Sequence, residues 1–589
     1  MKNTEALARE ISQLGILDFF AVTGGAALNL IDALVETGGL NPYFHHHEQA
    51  AALAADAYAR INGLGLCVVT TGPGVTNALT GLLCSWQDSV PCIYISGQAR
   101  SNFTAQGRDV RQVGTQHLEV IPIVSKMTKR AHSLKTGESI ADVIQELAFI
   151  AQDGRPGPVW LDIPLDVQLA AAENRVSTSI EVETSHFISQ HLELVPRIIN
   201  QISESKRPIL LLGRGVKSIS HETLRTFIAK LGIPVLRTWG FHDTEYFFAD
   251  ENDFGAIGVS GQRGANLIMS EGDFVLSIGS RLSQAVTGPI IKNFAPKAQK
   301  VIVEIESVEI EGLLDFEKIQ SINANSKDFI LEMLKYDLAS IGLSSSWKEY
   351  CTAAKSFNSE QIRNQEANEE IDLYSFLLAL DDSIQTPTTF VIDGGGTIVY
   401  SSMQVFNPKK NRRIVIPSAS APMGTGLPHA IGVKVAKPQE AVILFCGDGS
   451  FPFNMQELQT LKTYNLEIKI IILNNSGYLS IRQSQDQFLS SRHLGSDESG
   501  SLILPSISRV ASAFEIDYSS IQFSSESKQE IEKMLTSSGL AILEVFISDK
   551  QPIFPTIGFH PNGTGGFSPA PLSDMFPFRT DLPTIEAHD

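Results

Sequence analysis

At 589 residues the chain far exceeds what one hydrophobic core serves, and length alone predicts about three or four domains. With 43% hydrophobic and 19% charged residues, and no run of ~20 apolar residues, it is neither a disordered nor a membrane-spanning protein. A net charge of −19 excludes a nucleic-acid surface, which demands clustered Lys and Arg; the short basic run Lys409-Lys410-Asn411-Arg412-Arg413 reads as a solvated turn.

The N-terminal MKNTEALAREISQLGI has an amphipathic helix pattern and no signal-peptide core. Cys67, Cys84, Cys92, Cys351 and Cys446 sit mostly in apolar segments without CxxC spacing, which predicts free buried thiols and a cytoplasmic protein. Through residues 1–172 the apolar runs DFFAV, LCVVTTGPG, PCIYISG and PVWLDIP alternate with helical stretches such as EQAAALAADAYAR. A polar stretch, AAAENRVSTSIEVETSH, follows as a linker. RPILLLGRGV, IPVLRTWG, DFVLSIGS and KVIVEIE form a second set over 190–340. Another polar region, SSSWKEYCTAAKSFNSEQIRNQEANEE, precedes a third set over 370–550: TTFVIDGGG, RRIVIPS, AVILFCGDG, EIKIIILNN and LAILEVFI. Continuous apolar strands between helices indicate parallel sheets covered on both faces. The expected fold class is therefore α/β, three tandem doubly wound parallel-sheet domains with a Pro- and Gly-rich tail over 551–589.

The strand AVILFC ends in Gly447-Asp448-Gly449-Ser450, a helix pattern FPFNMQELQTLKTY follows, and the strand EIKIIIL ends in Asn474-Asn475. In a parallel sheet both loops leave the same carboxyl edge, where open α/β folds bind ligands. A carboxylate and an amide there suit Mg²⁺ or Ca²⁺, and the glycines admit phosphate oxygens to main-chain N–H groups near a helix start. Alone, GDG or NN is a turn; together, in this setting, they form a clamp for a metal diphosphate. Glu48, in the HHHEQ run at residues 45–49, opens the Ala-rich helix, where an acid also suits the helix dipole.

The GDG-to-NN block resembles the thiamine-diphosphate (ThDP) binding motif. That resemblance implies Asp448 and Asn475 as side-chain ligands of Mg²⁺ and Gly477 as a main-chain carbonyl ligand. It gives Glu48 a hydrogen bond to the aminopyrimidine ring, which promotes loss of the thiazolium C2 proton. His47 would modulate that carboxyl, while His45 and His46 read as solvent-facing or ordinary helix-entry residues. Over roughly residues 5–550, HHEQAAALAADAYAR, TTGPGVTNALTGL, ISGQ, GRPGPVWLDIPLDV, APMGTGLPHAIG and GDGSFPFNMQEL through IIILNN are similar, in order, to the acetolactate synthase branch of ThDP enzymes. The branch implies pyrimidine-binding, central and diphosphate-binding domains. Carried over by position, Gly25, Pro73 and Asn77 face the cofactor, Met423 props it in a bent shape, and Gly395, Gly396, Thr397, Gly447, Gly449 and Ser450 line the diphosphate. The same resemblance implies pyruvate as substrate and a homodimer or homotetramer in which Glu48 and Asp448 of one site come from different chains.

In the middle domain Gly213, Gly215, Gly279-Ser280-Arg281 and Glu304 fall at strand ends. Tight structural turns explain them on their own. By resemblance they match the branch's FAD site, with Arg281 at its arginine and Gln284–Gly288 echoing its VTG; such a flavin need not transfer electrons.

The sequence also departs from the branch. Where a phenylalanine and glutamine are expected, GTQHLEV places Leu118 and Glu119, with Gln116 just before them. Ser484 replaces a tryptophan, Thr397 replaces a histidine, and Lys129 keeps the basic position, with a solvated lysine as the alternative. Lost apolar walls and added hydrogen-bonding groups favour a larger, more polar acceptor than pyruvate, with Gln116, Glu119 and Ser484 as its contacts. A subset of the branch that includes the ThDP flavoenzyme of yersiniose formation is similar in GRPGPVWLDIPLDVQ and in a MFPF-like tail. It implies transfer of an acetyl group from pyruvate to the keto carbon of a nucleotide-linked deoxysugar. The open alternatives are acetolactate synthesis and simple decarboxylation, and the tail is expected either over the site mouth or in a flexible or dimer-packing role.

Overall fold

The computed structural model describes every residue except 106–108, 174–186, 245, 247–250, 313–317, 339–340, 360–369, 407–411, 564–565 and 586–589. Among the described residues three six-stranded parallel sheets follow one another. The first contains β1 (Asp18–Ala21), β2 (Asn41–Phe44), β3 (Gly65–Val69), β4 (Cys92–Gln98), β5 (Arg130–Ser133) and β6 (Val159–Pro164), in the order β2-β1-β3-β4-β6-β5. The second contains β7 (Pro208–Leu212), β8 (Val235–Arg237), β9 (Asp253–Ala256), β10 (Phe274–Ile278), β11 (Gln299–Glu304) and β12 (Ile319–Asn323), ordered β12-β11-β10-β7-β8-β9. The third contains β13 (Thr388–Ile392), β14 (Arg412–Val415), β15 (Ala441–Gly447), β16 (Lys469–Asn474), β17 (Asp517–Ile521) and β18 (Ala541–Phe546), ordered β14-β13-β15-β16-β18-β17. Inner strands such as β7, β10 and β13 are buried along their whole length, as strands with helices on both faces must be. The linker residues 174–186 and 360–369, and Lys409 to Asn411 of the basic run, lie outside the described residues.

The Ala-rich segment forms the helix Glu48–Asn62, capped by His47, whose Nδ1 accepts the Gln49 N–H at 3.1 Å. Its alanines serve close approach. A Cβ on Gly81, in the helix Pro73–Gln87, would stand 2.5 Å from Ala52 Cβ, and one on Gly432, in the helix Gly426–Ala436, 2.1 Å from the Ala54 carbonyl oxygen. One core consequently runs from Phe20, Val69 and Tyr94 of the first sheet into Leu444, Ile470 and Ile542 of the third.

Arg60, near the end of that helix, is fully buried and joins all three sheets. Its guanidinium meets Asp56 at 2.6 Å, Asp88 at 2.8 Å and Asp243 at 3.1 Å, and donates to the Ile416 carbonyl at 3.0 Å. Lys217 and Arg413 donate to the Arg60 carbonyl. Arg413 is buried and Arg412 pairs with Asp381, so these two members of the basic run serve the interior rather than a solvated turn.

All five cysteines are buried and unpaired. No helix among the described residues is long and apolar enough to cross a membrane. The tail packs down. Arg263 donates to the Met575 and Pro577 carbonyls at 2.9 and 2.8 Å, and a hairpin of β19 (Phe559–Pro561) and β20 (Phe567–Pro569) sets Phe559 and Phe567 edge-on to Phe488.

Candidate cofactor and acceptor site

Parallel pairing of β15 with β16, Gly447 opposite Leu473, brings the loops after them together. Asp448 is buried and accepts the N–H groups of Gly449 at 2.8 Å and Gly477 at 3.0 Å. Burial pushes its carboxyl up to about 7, against the pull of those N–H groups and of Arg482. Asn475 is buried too, and its Oδ1 has no hydrogen-bond partner. An orphaned amide oxygen beside a desolvated carboxylate is a hard-oxygen donor set, so these residues fit Mg²⁺, with the Gly477 carbonyl on the same loop. Among the described residues no group of three His, Cys, Asp or Glu side chains offers a competing metal site. At Gly477, φ is +135° and a Cβ would stand 2.2 Å from the Ser496 carbonyl oxygen; only glycine fits.

The loop after β13 lies alongside. Gly395 precedes the helix Gly396–Val405, and a Cβ on it would meet nothing within 4 Å, so the helix start, with Thr397 in its first turn, is open to an anion. Ser450 Oγ accepts the Gly424 N–H at 2.8 Å and donates to the Gly394 carbonyl at 3.1 Å. Half-buried Met423 is thereby held beside the same loops, and Gly449 lies under the Tyr478 ring. Asp393 was passed over although it opens the DGGGT run. It is fully buried and accepts from Gly394 N at 2.7 Å, Gly426 N at 2.9 Å and the Thr425 hydroxyl at 3.0 Å, which ties the two loops together. The expected helix after GDG starts late: a short turn Phe451–Phe453 intervenes and the helix is Glu457–Thr463, because Asn454 leaves the helical region to donate to the Gly424 carbonyl at 2.7 Å.

On the first sheet, Gly25, Glu48, Pro73 and Asn77 collect at the carboxyl edge. Pro73 starts its helix, and Asn77 Nδ2 donates to Glu48 Oε2 at 2.9 Å. His45 is not at the solvent: its buried Nδ1 lies 2.9 Å from Glu457 Oε2, while the exposed His46 gives only its N–H to Glu457. Among the described residues no hydrogen bond joins Glu48 to Asp448, Asn475 or Gly477 of the same chain.

Gln116 lies near Glu48, because a Cβ on Gly72 would stand 2.5 Å from the Gln116 carbonyl oxygen and one on Gly74 3.6 Å from Glu48 Oε1. Glu119 has a 57% exposed side chain, 3.2 Å from Nε2 of buried His117, whose Nδ1 has no partner. His117 was missed because a lone histidine in a loop carries no pattern. Ser484 is exposed on the helix Leu479–Phe488, whose Ser480 lies over Gly396. Lys129 is not a solvated lysine: its Nζ donates to the Asp153 carbonyl at 2.5 Å, and burial lowers its pKa.

Between the first and second sheets lies a cavity of about 630 Å³, lined by Gly215, Gly279, Arg281 and Glu304, by Arg155 and Arg214, and by Lys217, whose pKa burial lowers well below its ordinary value. A Cβ on Gly213 would stand 2.3 Å from the Gly279 carbonyl oxygen and one on Gly215 2.6 Å from Gly279 Cα, so these glycines let adjacent strand-end turns touch. Glycine turns, a strand-end glutamate and the arginines Arg155, Arg214 and Arg281 beside a cavity of this size fit a dinucleotide. Asp448 and Asn475 do not line it.

Three family models match the chain: the N-terminal TPP binding domain of thiamine pyrophosphate enzymes over residues 1–119, their central domain over 195–327 and their C-terminal TPP binding domain over 394–545. The chain is 31% identical over 580 residues to acetolactate synthase 2, chloroplastic, of Nicotiana tabacum, covering 94% of this chain and 83% of that protein. It is 29% identical over 566 residues to the acetolactate synthase isozyme 2 large subunit of Escherichia coli (strain K12), covering 95% and 97%.

Proposed function

Because the chain belongs to the ThDP-dependent enzymes of the acetolactate synthase branch, we propose that it transfers an acetyl group from pyruvate to the keto carbon of a nucleotide-linked deoxysugar. Pyruvate loses CO₂, its carbonyl carbon bonds to the acceptor carbonyl carbon, and the acceptor oxygen takes a proton. ThDP, when bound, supplies the carbon nucleophile and the electron sink.

The chain's own residues bind, orient and move protons. Asp448, Asn475 and the Gly477 carbonyl hold Mg²⁺. Gly395, Gly396, Thr397, Gly447, Gly449 and Ser450 would hold the diphosphate, Met423 would support the cofactor, and Gly25 and Pro73 would bind its pyrimidine. Glu48, fixed by Asn77, would hold at its carboxyl the proton that activation of the bound cofactor requires. Gly213, Gly215, Arg281 and Glu304 would hold FAD in the cavity as a structural group, since the ligation has no net redox change. Two copies complete the site, Glu48 of one facing Asp448 of the other. The working units are 1–172, 190–340 and 370–550, with the tail 551–589 over the helix that carries Ser484. Five buried, unpaired thiols suit a reducing cytoplasm.

The observation that carries the acceptor assignment is the exposed polar set Gln116, Glu119 and Ser484, with Ser484 where the branch has tryptophan. The experiment is incubation of labelled pyruvate, ThDP and Mg²⁺ with ketoses and nucleotide keto-sugars, followed by mass spectrometry. An acetylated sugar is expected; acetolactate alone refutes the acceptor. That second reading is favoured by Leu118, which packs against the core as an apolar wall, and by the names of the relatives.

A further inference from the structure

Asp162 takes no part in the chemistry above, yet it is only 3% exposed and sits at the carboxyl end of β6, where β4 pairs Ser96 with it. The polar groups around it have one consistent set of directions. Trp160 Nε1–H, which can only donate, gives its hydrogen to Ser96 Oγ at 2.8 Å, so the Ser96 proton goes to Asp162 Oδ1 at 2.6 Å. Gln98 Oε1 receives the Ala99 main-chain N–H at 2.9 Å and faces the Thr71 hydroxyl at 2.8 Å. The Gln98 amide nitrogen must therefore point the other way. One of its hydrogens goes to the Leu118 carbonyl at 2.8 Å and the other to Asp162 Oδ2 at 3.3 Å. The single Thr71 hydroxyl hydrogen is shared between Gln98 Oε1 and the Gln116 carbonyl, 3.1 Å away, so Gln116–Leu118 hangs on this buried array firmly at Leu118, through Gln98, and more weakly at Gln116.

We propose that Asp162 is a positioning residue for acceptor choice: its carboxylate fixes the Gln98 amide, and that amide holds the segment bearing Gln116, Leu118 and Glu119. With an asparagine at 162, an amide oxygen replaces one carboxylate oxygen and an N–H₂ replaces the other. Ser96, Gln98 and the Ser133 hydroxyl then share one acceptor oxygen fewer, and the longest of the measured contacts, Gln98 at 3.3 Å against Ser96 at 2.6 Å, is the one that gives way and leaves Gln98 free to turn from Leu118. A buried donor left unpaired is costly, and the segment relaxes toward solvent. The inference rests on the carboligase reading but not on which acceptor is used.

The test compares wild type with Asp162→Asn, Gln98→Leu and Ser96→Ala, as ThDP- and Mg²⁺-loaded enzymes, with the acceptor wild type uses in the mass-spectrometric panel. Three readouts are taken: the acceptor concentration for half-maximal carbon–carbon bond formation, the single-turnover rate of CO₂ release from pyruvate, and the melting temperature. Asp162→Asn and Gln98→Leu are expected to raise the half-maximal acceptor concentration about tenfold, equivalent to about 1.4 kcal/mol, with CO₂ release within about twofold. Ser96→Ala strands the Trp160 N–H and lowers the melting temperature, but keeps the Gln98–Leu118 bond and acceptor half-saturation. Melting losses in all three with unchanged acceptor dependence overturn the proposal and leave the functional reading standing. If Asp162→Asn fails to fold, Gln98→Leu decides by the same criterion. A wild type that makes no carbon–carbon bond with any acceptor overturns the functional reading, and this inference with it.

Discussion

Replacing Arg60 with methionine removes the cation at which the three sheets meet. Burial would raise the Asp56 carboxyl, but Arg60 and His429 hold it well below the usual carboxylate range; burial likewise opposes Arg214, Lys217, Arg60 and Arg413, which bring Asp243 down to about 2. Breaking a buried ion pair by removing one partner costs ~3–5 kcal/mol. Asp243 keeps Arg214 at 2.6 Å and Arg413 at 3.4 Å, and Asp88 keeps the N–H groups of Ser418 and Ala419 and the Ser418 hydroxyl. Only Asp56 is left with no cation, keeping the Ser85 hydroxyl at 2.9 Å and the His429 ring nitrogen at 3.3 Å. The expected loss is therefore at the lower end, about 3 kcal/mol, or roughly 6–12 °C in melting temperature for domains of this class. Calorimetry of the cofactor-free protein reads it. Adding Asp56→Asn to Arg60→Met should recover about 1–2 kcal/mol by removing the stranded charge. A melting temperature within about 2 °C of wild type for Arg60→Met would refute the reasoning.

Asn475→Leu should abolish Mg²⁺-dependent ThDP binding in the micromolar range, measured by titration calorimetry, with an apoprotein melting temperature no lower than wild type, since the leucine removes a buried oxygen without a partner. Ser484→Trp should shift the product ratio from acetylated sugar toward acetolactate, read by mass spectrometry of a mixed-acceptor incubation. Burial raises Asp162 to about 6, above its unfolded value, so its contribution to stability is fully present below about pH 4 and lost as pH rises through 6. Between those limits wild type should lose about 3 kcal/mol relative to Asp162→Asn, seen as a pH-dependent difference in melting temperature; parallel curves would contradict it.

The sheets were legible because their inner strands are uninterrupted apolar runs: LLL of β7, FVLSI of β10 and IIIL of β16 are each nearly or wholly buried. The strands missed were at edges. β2 (NPYF), β5 (RAHS) and β17 (DYSSI) are partly exposed and polar, so neither an apolar run nor strict alternation marks them. The GDG and NN loops were legible for a local reason, since each places its polar residues at the end of an apolar strand. His45–Glu457, the Arg60 hub and the Asp162–Gln98–Leu118 array were not, because each joins residues brought together only by packing, and a lone buried histidine, arginine or aspartate looks in sequence like any other.

On the proposed function, Glu48 starts the chemistry on a cofactor held by Asp448 and Asn475. Turnover of carbon-13 pyruvate by Glu48→Gln beside wild type, both loaded with ThDP and Mg²⁺, tests it most directly. The expected result is ThDP affinity within about threefold of wild type and turnover lower by about 10²–10⁴-fold; equal turnover of the two proteins would rule out this role for Glu48.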